Sequence, residues 1–468
     1  MELQAVWPRT PGGGHPDGIP RYALFVAIPA IGHLMPLLRQ ARELTRRGWR
    51  TAIASTEEVR AHVEARHPEM PFVGLGTYPG AVEASAQAES LASAEPDAIK
   101  GTMAVMRWVN TLWPVMYDGL RAATEDDRPD VMVVDLVTAA GMDAAEEAGI
   151  PYVVNNADLL QVISVGVLPP APGVPLLFSG RSIHSGGRLR RVLDPLACRL
   201  AVAVVEATLG RQLNALRRTR GLAPVAITKR PAGVPIMTDS AFGLEYPRPL
   251  PPQIEMVGPM LEDPRPLPDD LRSWLEGGPP VVYVNLGTVV RPRPDVLARI
   301  AAGLAGGGFR ALWVVRPELR GALPAELPPN VRLETWVASQ QAVLAHPAVR
   351  VFVTHCGINS VHESLAGGTP MVGIPFLADQ RDMAVRVRDA GVGLQLDTQR
   401  FTAAELLGSI RRVLGDPAFR RNIPAIQASF ARAGGVRRAA DLIERAAGAG
   451  GGEGHAPAVA GEYMVSAT

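Results

Sequence analysis

Short apolar runs of strand length alternate with amphipathic stretches of helix length along most of this chain. Residues 22–28 form a continuous apolar run, 29–35 read as a turn, and 36–47 carry apolar side chains at helical spacing up to a stop at Gly48. A second strand begins near Arg50. Strand, helix, strand in that order is the unit of a parallel sheet covered by helices. The same signature returns at 129–136 (PDVMVVDL), with a helix over 139–148 and a strand over 150–155. Residues 21–244 are therefore expected to be an open α/β domain.

Between Glu245 and Pro280 the chain carries ten prolines, whose fixed φ and missing N–H oppose both helix interiors and central strands. This stretch reads as an interdomain linker with one short helix near 269–275. The strand pattern restarts at 281–286, followed by a helix from Asp295, a glycine-rich stop at 306–308 and strands at 311–315, 350–354 and 371–374. A helix over 380–390 and further helical sequence complete a second α/β domain over 281–446. The first 20 residues read as flexible, and the Gly/Ala-rich residues 447–468 as a disordered tail. The expected fold class is α/β, two facing Rossmann-like domains whose strand ends border a central cleft, where ligands of such sheets bind.

Composition narrows the classes of function. Among 468 residues, 47 Lys and Arg oppose 46 Asp and Glu, a net charge of +1 that gives no drive toward nucleic acid or anionic lipid. Cys198 and Cys356 are the only cysteines, too few for a disulfide framework, and no CxxC or HExxH spacing offers a metal site. No apolar run of signal-peptide or membrane-spanning length is present, so a cytoplasmic protein without stable membrane insertion is expected. Neither GxGxxG nor GxxxxGK[ST] occurs at a strand-to-helix turn, which argues against a dinucleotide oxidoreductase and a P-loop enzyme.

The informative segment is 336–380, WVASQQAVLAHPAVRVFVTHCGINSVHESLAGGTPMVGIPFLADQ. Here a strand over 350–354 and a tight loop lead to a helix over 359–366 whose N-terminus opens into the cleft. Helix N-termini bind phosphate through free N–H groups and about half a positive charge. Gly357 allows close approach of a diphosphate to the backbone, and His355, Asn359 and Ser360 can donate to it. Plainer readings stand beside these. Ser360 and Glu363 have capping-box spacing, Asp379 can be an N-cap, and His346 sits where a structural histidine would.

Residues 336–380 resemble the signature segment of the family-one UDP-sugar-dependent glycosyltransferases, which have the two-domain GT-B fold. The match is carried by Gln340, Leu344, His346, Thr354-His355-Cys356-Gly357, Asn359-Ser360, Glu363, Pro370-Met371, Pro375 and Asp379-Gln380. A weaker match covers PAIGHLMP at 29–36, Arg47-Gly48 and Val134-Asp135. The resemblance implies that His355, with Asn359 and Ser360, binds the donor diphosphate and that Glu363 holds ribose hydroxyls. Gln340 is implied near ribose or base, Asp379 and Gln380 on hydroxyls of the hexose, and Thr288 near phosphate or sugar. Two positions depart from the pattern: the base-stacking aromatic falls by spacing on Val337, with Trp336 one residue early, and Ile358 replaces a tryptophan.

Transfer of a hexose to an alcohol needs a base for the acceptor hydroxyl and stabilisation of the leaving diphosphate. His33, read as lying in the loop at the carboxyl end of the first strand, is the candidate base. The resemblance implies that Asp135 orients its ring, that the reaction inverts the anomeric centre, and that no metal or other cofactor is required, the UDP-sugar being a co-substrate. No DxD is present. The apolar stretches 103–120 and 159–178, with Trp108, Trp113 and Phe178, are expected to bind a hydrophobic alcohol or phenol such as a polyketide or macrolide. An Arg-rich, Lys-poor composition suggests a bacterial natural-product enzyme. A dTDP-deoxysugar donor, a catalytically silent accessory subunit of the same fold, and a lipid-surface protein remain as other readings, and the oligomeric state is left open.

Overall fold

Thirteen parallel strands, seven in one sheet and six in another, carry the described part of the chain. This is a computed structural model that describes residues 20–448 apart from 79–97, 164–166, 169, 172, 186, 262–263, 289 and 378. The flexible N-terminus and the tail expected from the sequence lie, but for Pro20, Ala447 and Gly448, outside those residues.

The N-terminal sheet contains β1 (Tyr22–Val26), β2 (Arg50–Ser55), β3 (Phe72–Gly74), β4 (Val131–Asp135), β5 (Tyr152–Asn156), β6 (Ile236–Thr238) and β7 (Ile254–Met256). Their order is β3-β2-β1-β4-β5-β6-β7. The second sheet contains β8 (Val281–Asn285), β9 (Arg310–Val314), β10 (Val331–Glu334), β11 (Val349–Thr354), β12 (Met371–Gly373) and β13 (Gly393–Gln395), in the order β10-β9-β8-β11-β12-β13. Central strands β1, β4 and β5 are buried at every position, as expected where helices cover both faces. In each sheet the order reverses beside its first strand, so the β1/β4 and β8/β11 crevices are the topological switch points.

Three boundaries differ from the sequence expectation. The first helix spans Ile31–Arg46 and contains Pro36, so residues 31–35 are its first turn and not a loop. At the sixth position Pro36 removes only the N–H that would reach the Gly32 carbonyl, so the helix runs through it. The expected linker holds β7, an edge strand of the first sheet. It needs ladder bonds on one side only, and the flanking prolines fall outside its three residues. Finally, the helix Val436–Ala446 returns to the N-terminal domain. Its face of Ala439, Leu442, Ile443 and Ala446 packs with Leu34, Leu37, Ala41 and Leu44 of the first helix, and Arg47 donates to Asp441 (2.7 Å) and Glu444 (2.9 Å). Its apolar stripe matches the first domain's outer surface, so proximity in sequence to the second domain does not decide where it packs. Among the described residues no helix is long and apolar enough to cross a membrane.

Candidate active site

The two switch points face one cavity of about 810 Å³ lined by both domains. His33 stands on the N-terminal side, in the third position of the helix Ile31–Arg46, with its side chain 22% exposed. Its Nδ1 lies 2.9 Å from Asp135 Oδ1 at the carboxyl end of β4. The other Asp135 oxygen accepts from the Thr138 hydroxyl (3.0 Å), which in turn accepts the Ile28 N–H (3.0 Å). Asp135 is 1% exposed and held from two sides, so it fixes the ring with Nδ1 toward the carboxylate and Nε2 toward the cavity.

The charge around His33 is more acidic than its sequence suggests. Burial alone disfavours the imidazolium, but Asp135, through its charge and hydrogen bond, together with Asp158 and Asp379, outweighs it and raises His33 to about 10. Asp158 and Asp379 also line the cavity. Burial first, then Asp158 and Asp382, pushes the Asp379 carboxyl up to about 7, with the Leu159 backbone opposing. Asp158 is raised by burial and by Asp135, with His33 opposing.

Across the cavity, β11 leads through His355, Cys356 and Gly357 into the helix Ile358–Ala366. Gly357 is its N-cap and no side chain caps it. Ser360 therefore sits at the third helical position, the capping-box reading of Ser360 and Glu363 fails, and the first-turn N–H groups stay uncapped by any side chain. His355 is packed between two glycines: a Cβ on Gly357 would lie 2.4 Å from its Nε2, and one on Gly287 2.6 Å from its Cε1 and Nε2. Burial lowers His355 to about 4, so it is a neutral imidazole at pH 7, and its buried Nδ1 makes no hydrogen bond. An uncapped helix N-terminus beside a neutral imidazole held by glycines is a cradle for an anion that must approach the backbone closely.

A polar network continues from this cradle. Gln340 Nε2 donates to Glu363 Oε2 (2.8 Å) and to Ser360 (3.3 Å), and its Oε1 accepts from Asn285 (2.7 Å) and Tyr283 (3.1 Å). The other Glu363 oxygen accepts from Arg39 of the N-terminal domain at 2.7 Å. Each carboxylate oxygen retains a second lone pair for a hydroxyl. Asn359 Nδ2 donates to the Gly32 carbonyl at 3.0 Å, the group that Pro36 leaves without its helical donor. Asp379 caps the helix Gln380–Asp389 by position but not by side chain, and its buried Oδ2 makes no hydrogen bond. Gln380 Oε1 accepts the Phe376 and Leu377 N–H groups (2.9 and 3.2 Å).

Thr288, Val337, Gln340, His355, Gly357, Asn359, Ser360, Glu363, Asp379 and Gln380 all line the cavity, as do His33, Trp108 and Phe178. Two readings need correction. Trp113 is core: it is 2% exposed, stacks on Tyr117 at 4.6 Å, and donates to Asp143 at 2.7 Å. Val337 is packed into the second domain's core, whereas Trp336 is 51% exposed with the Arg66 guanidinium 5.3 Å from its ring. The β-branched side chain turns inward, and the indole is the ring presented at the cavity mouth. Phe178 has φ +64°, and its N–H donates to Asp382 at 2.6 Å across the domain boundary, which holds it against the apolar wall formed with Met103, Met106, Val162 and Leu177. His346 is structural, its Nδ1 accepting the Ala348 N–H. Sequence reasoning missed Arg39, Asp158, Thr138, Tyr283, Asn285 and Gly287. Asp158 had a readable signal in its place just beyond the end of β5; a lone arginine on a helix, such as Arg39, had none.

A model of the family described as UDP-glucoronosyl and UDP-glucosyl transferase matches residues 109–429. Among curated proteins, a UDP-glycosyltransferase 1 from Phaeomoniella chlamydospora is 29% identical over 365 residues, 74% of each chain. The UDP-glycosyltransferase stmC from Aspergillus ustus is 29% identical over 74% of this chain and 70% of its own. A UDP-glucuronosyltransferase 2A3 from Cavia porcellus is 28% identical over 66% and 59%. Among solved structures, the calicheamicin glycosyltransferase CalG4 superposes with a TM-score of 0.65 at 21% identity, covering 92% of this chain and 98% of its own. The glycosyltransferase of kitacinnamycin gives 0.64 at 24%, covering 91% and 99%.

Proposed function

Because the chain belongs to the family of UDP-glucuronosyl and UDP-glucosyl transferases and has the GT-B fold, we propose that it moves glucose from UDP-glucose to a hydroxyl of a hydrophobic small molecule, with inversion, and that His33 is the general base. The observation that carries this reading is the His33–Asp135 pair facing, within one cavity, the anion cradle of His355, Gly357 and the helix Ile358–Ala366. The acceptor hydroxyl gives its proton to His33 Nε2 as its oxygen forms a bond to the anomeric carbon. The bond from that carbon to the UDP oxygen breaks on the opposite face, and the negative charge gained by the diphosphate falls on the helix N-terminus and His355. Asp135 stabilises the imidazolium so formed without taking its proton. Trp336 offers the stacking face for the base, Gln340 and Glu363 take the ribose, and Asp379 with Gln380 takes hexose hydroxyls. Natural-product alcohols of polyketide or macrolide type suit the wall of Met103, Met106, Trp108 and Phe178. The direct test is incubation of purified protein with UDP-glucose and a library of hydrophobic alcohols, reading mass gains of one hexose and release of UDP. Absence of both with every alcohol would count against the reading.

The acidity around His33 sets the pH dependence. Only the neutral imidazole accepts a proton, and its pKa is raised to about 10 in the folded protein. The reactive fraction of free enzyme therefore grows as pH rises toward that value. kcat/KM is expected to climb through the neutral and mildly alkaline range, in contrast to the plateau above about 6.5 expected of an unperturbed histidine. A flat profile above pH 7 would mean that the surrounding carboxyl groups do not raise His33, and an acidic optimum would remove His33 from the role.

A further inference from the structure

We infer that Asp158 gives the acceptor-side domain a part in choosing the donor sugar: beside Asp379 in the cavity wall, it makes the sugar subsite take uncharged hexoses and turn away hexuronic acids. The inference rests on the reading of Asp379 as a contact of the transferred sugar. It adds a residue from the other domain and a basis for selection.

The placement of Asp158 follows from the end of β5. Its N–H donates to Asn156 Oδ1 at 3.3 Å and its carbonyl accepts from Asn156 Nδ2 at 3.2 Å, a turn in which the Asp158 carboxylate takes no part. The next residue, Leu159, is buried in the hydrophobic core of the second domain, which ties the Asp158 turn directly to that domain. Asp158, Asp379 and His33 then border the same cavity, with Asp135 directly behind His33. Asp379 Oδ2 is buried there without a hydrogen-bond partner, an acceptor suited to a sugar hydroxyl and left uncompensated without one.

Three carboxyl groups thus gather about the sugar end, against the single imidazole, and burial together with their neighbours' charge raises two of them, Asp158 and Asp379. The arginines of the cavity wall are committed elsewhere: Arg39 to Glu363, Arg66 over Trp336, and Arg230 to Asp143 and Glu146. Arg265 is exposed. A neutral hexose adds no charge, and its hydroxyls can donate to or accept from these carboxyl groups in either protonation state. A hexuronate brings a further negative charge into a partly desolvated site whose carboxyl groups already resist ionising, and Arg39, Arg66 and Arg230 are held by other partners. The family description covers both glucuronosyl and glucosyl transfer, so this selection separates the two.

Calorimetric binding of UDP, UDP-glucose and UDP-glucuronic acid provides the test. The unmodified protein is expected to bind UDP-glucose at least about tenfold more tightly than UDP-glucuronic acid. In Asp158→Asn, and in Asp158→Ser should the first variant not fold, the affinity for UDP is retained while that preference shrinks by about tenfold. Equal affinities for the two sugar nucleotides in the unmodified protein overturn the inference, whatever the variants do. So does a preference that survives in a variant with normal UDP affinity. If the unmodified protein binds none of the three, the reading as a UDP-sugar enzyme fails, a result distinct from UDP binding without discrimination.

Discussion

Replacing His33 with alanine should lower turnover by about 10²- to 10⁴-fold, the usual contribution of a positioned general base, while leaving the affinity for UDP-glucose within about twofold. The two effects separate because the side chain reaches the reaction only from the acceptor side. The anion cradle and the Gln340–Glu363 network are built on the second domain, and the His33 ring pairs with Asp135. The fold should tolerate the change, since the side chain is partly exposed at the cavity wall. Its removal does leave Asp135 with a spare buried oxygen, which the Thr138 hydroxyl does not satisfy, and a small loss of stability is expected. Asp135→Asn provides a second arm. An amide keeps the shape but can present its N–H to Nδ1, turning the ring to the tautomer whose Nε2 carries the proton and cannot act as base. A loss of up to about 10⁴-fold follows by analogy with other His–Asp pairs. Full turnover by His33→Ala, measured as UDP release with an accepted alcohol, would end the assignment.

Much of this arrangement was legible before any coordinates. Parallel strands buried on both faces advertise themselves as unbroken apolar runs, so β1, β4, β8 and β11 were placed to within a residue or two, and the cleft at their carboxyl ends followed. The donor side was readable because its residues sit close together in sequence, on one strand, one loop and one helix. What stayed hidden arises between distant segments. Asp158 belongs with His33 and Asp379 only through the pairing of β4 with β5 and the approach of the second domain. Arg39 looks like a solvated helix residue until Glu363 arrives from the other sheet. The helix begins five residues before the expected 36–47, because Pro36 is tolerated within it and frees the Gly32 carbonyl that accepts Asn359 across the cleft. Trp113 and Trp108 are five residues apart on neighbouring helices, and local sequence does not say which indole faces the core. Their partners decide: Asp143 takes the Trp113 N–H, while the Trp108 N–H is buried at the cavity without one.

Gly357→Ala should weaken UDP-glucose binding by at least about tenfold without unfolding the protein. Gly357 has φ −63° and ψ 141°, a backbone open to any residue, so the substitution brings no strain of its own. Its effect is steric and local, because the added methyl would lie 2.4 Å from His355 Nε2, which no Cβ tolerates. The imidazole must swing away, on the side where Gly287 leaves as little room, and the diphosphate loses both the ring and its close approach to the helix N-terminus. At Gly287, where φ is +78°, alanine adds about 1–2 kcal/mol of backbone strain to the same collision, so Gly287→Ala should also lower the melting temperature. The two causes are distinguished by a double-mutant cycle. If Gly357 acts by holding the imidazole in place, His355→Ala should weaken binding strongly in the parent but add little in the Gly357→Ala background. Additive losses would mean that the glycine serves the phosphate directly and that His355 binds it by a separate route, whereas unchanged UDP-glucose affinity in Gly357→Ala would take the donor diphosphate out of this cradle altogether.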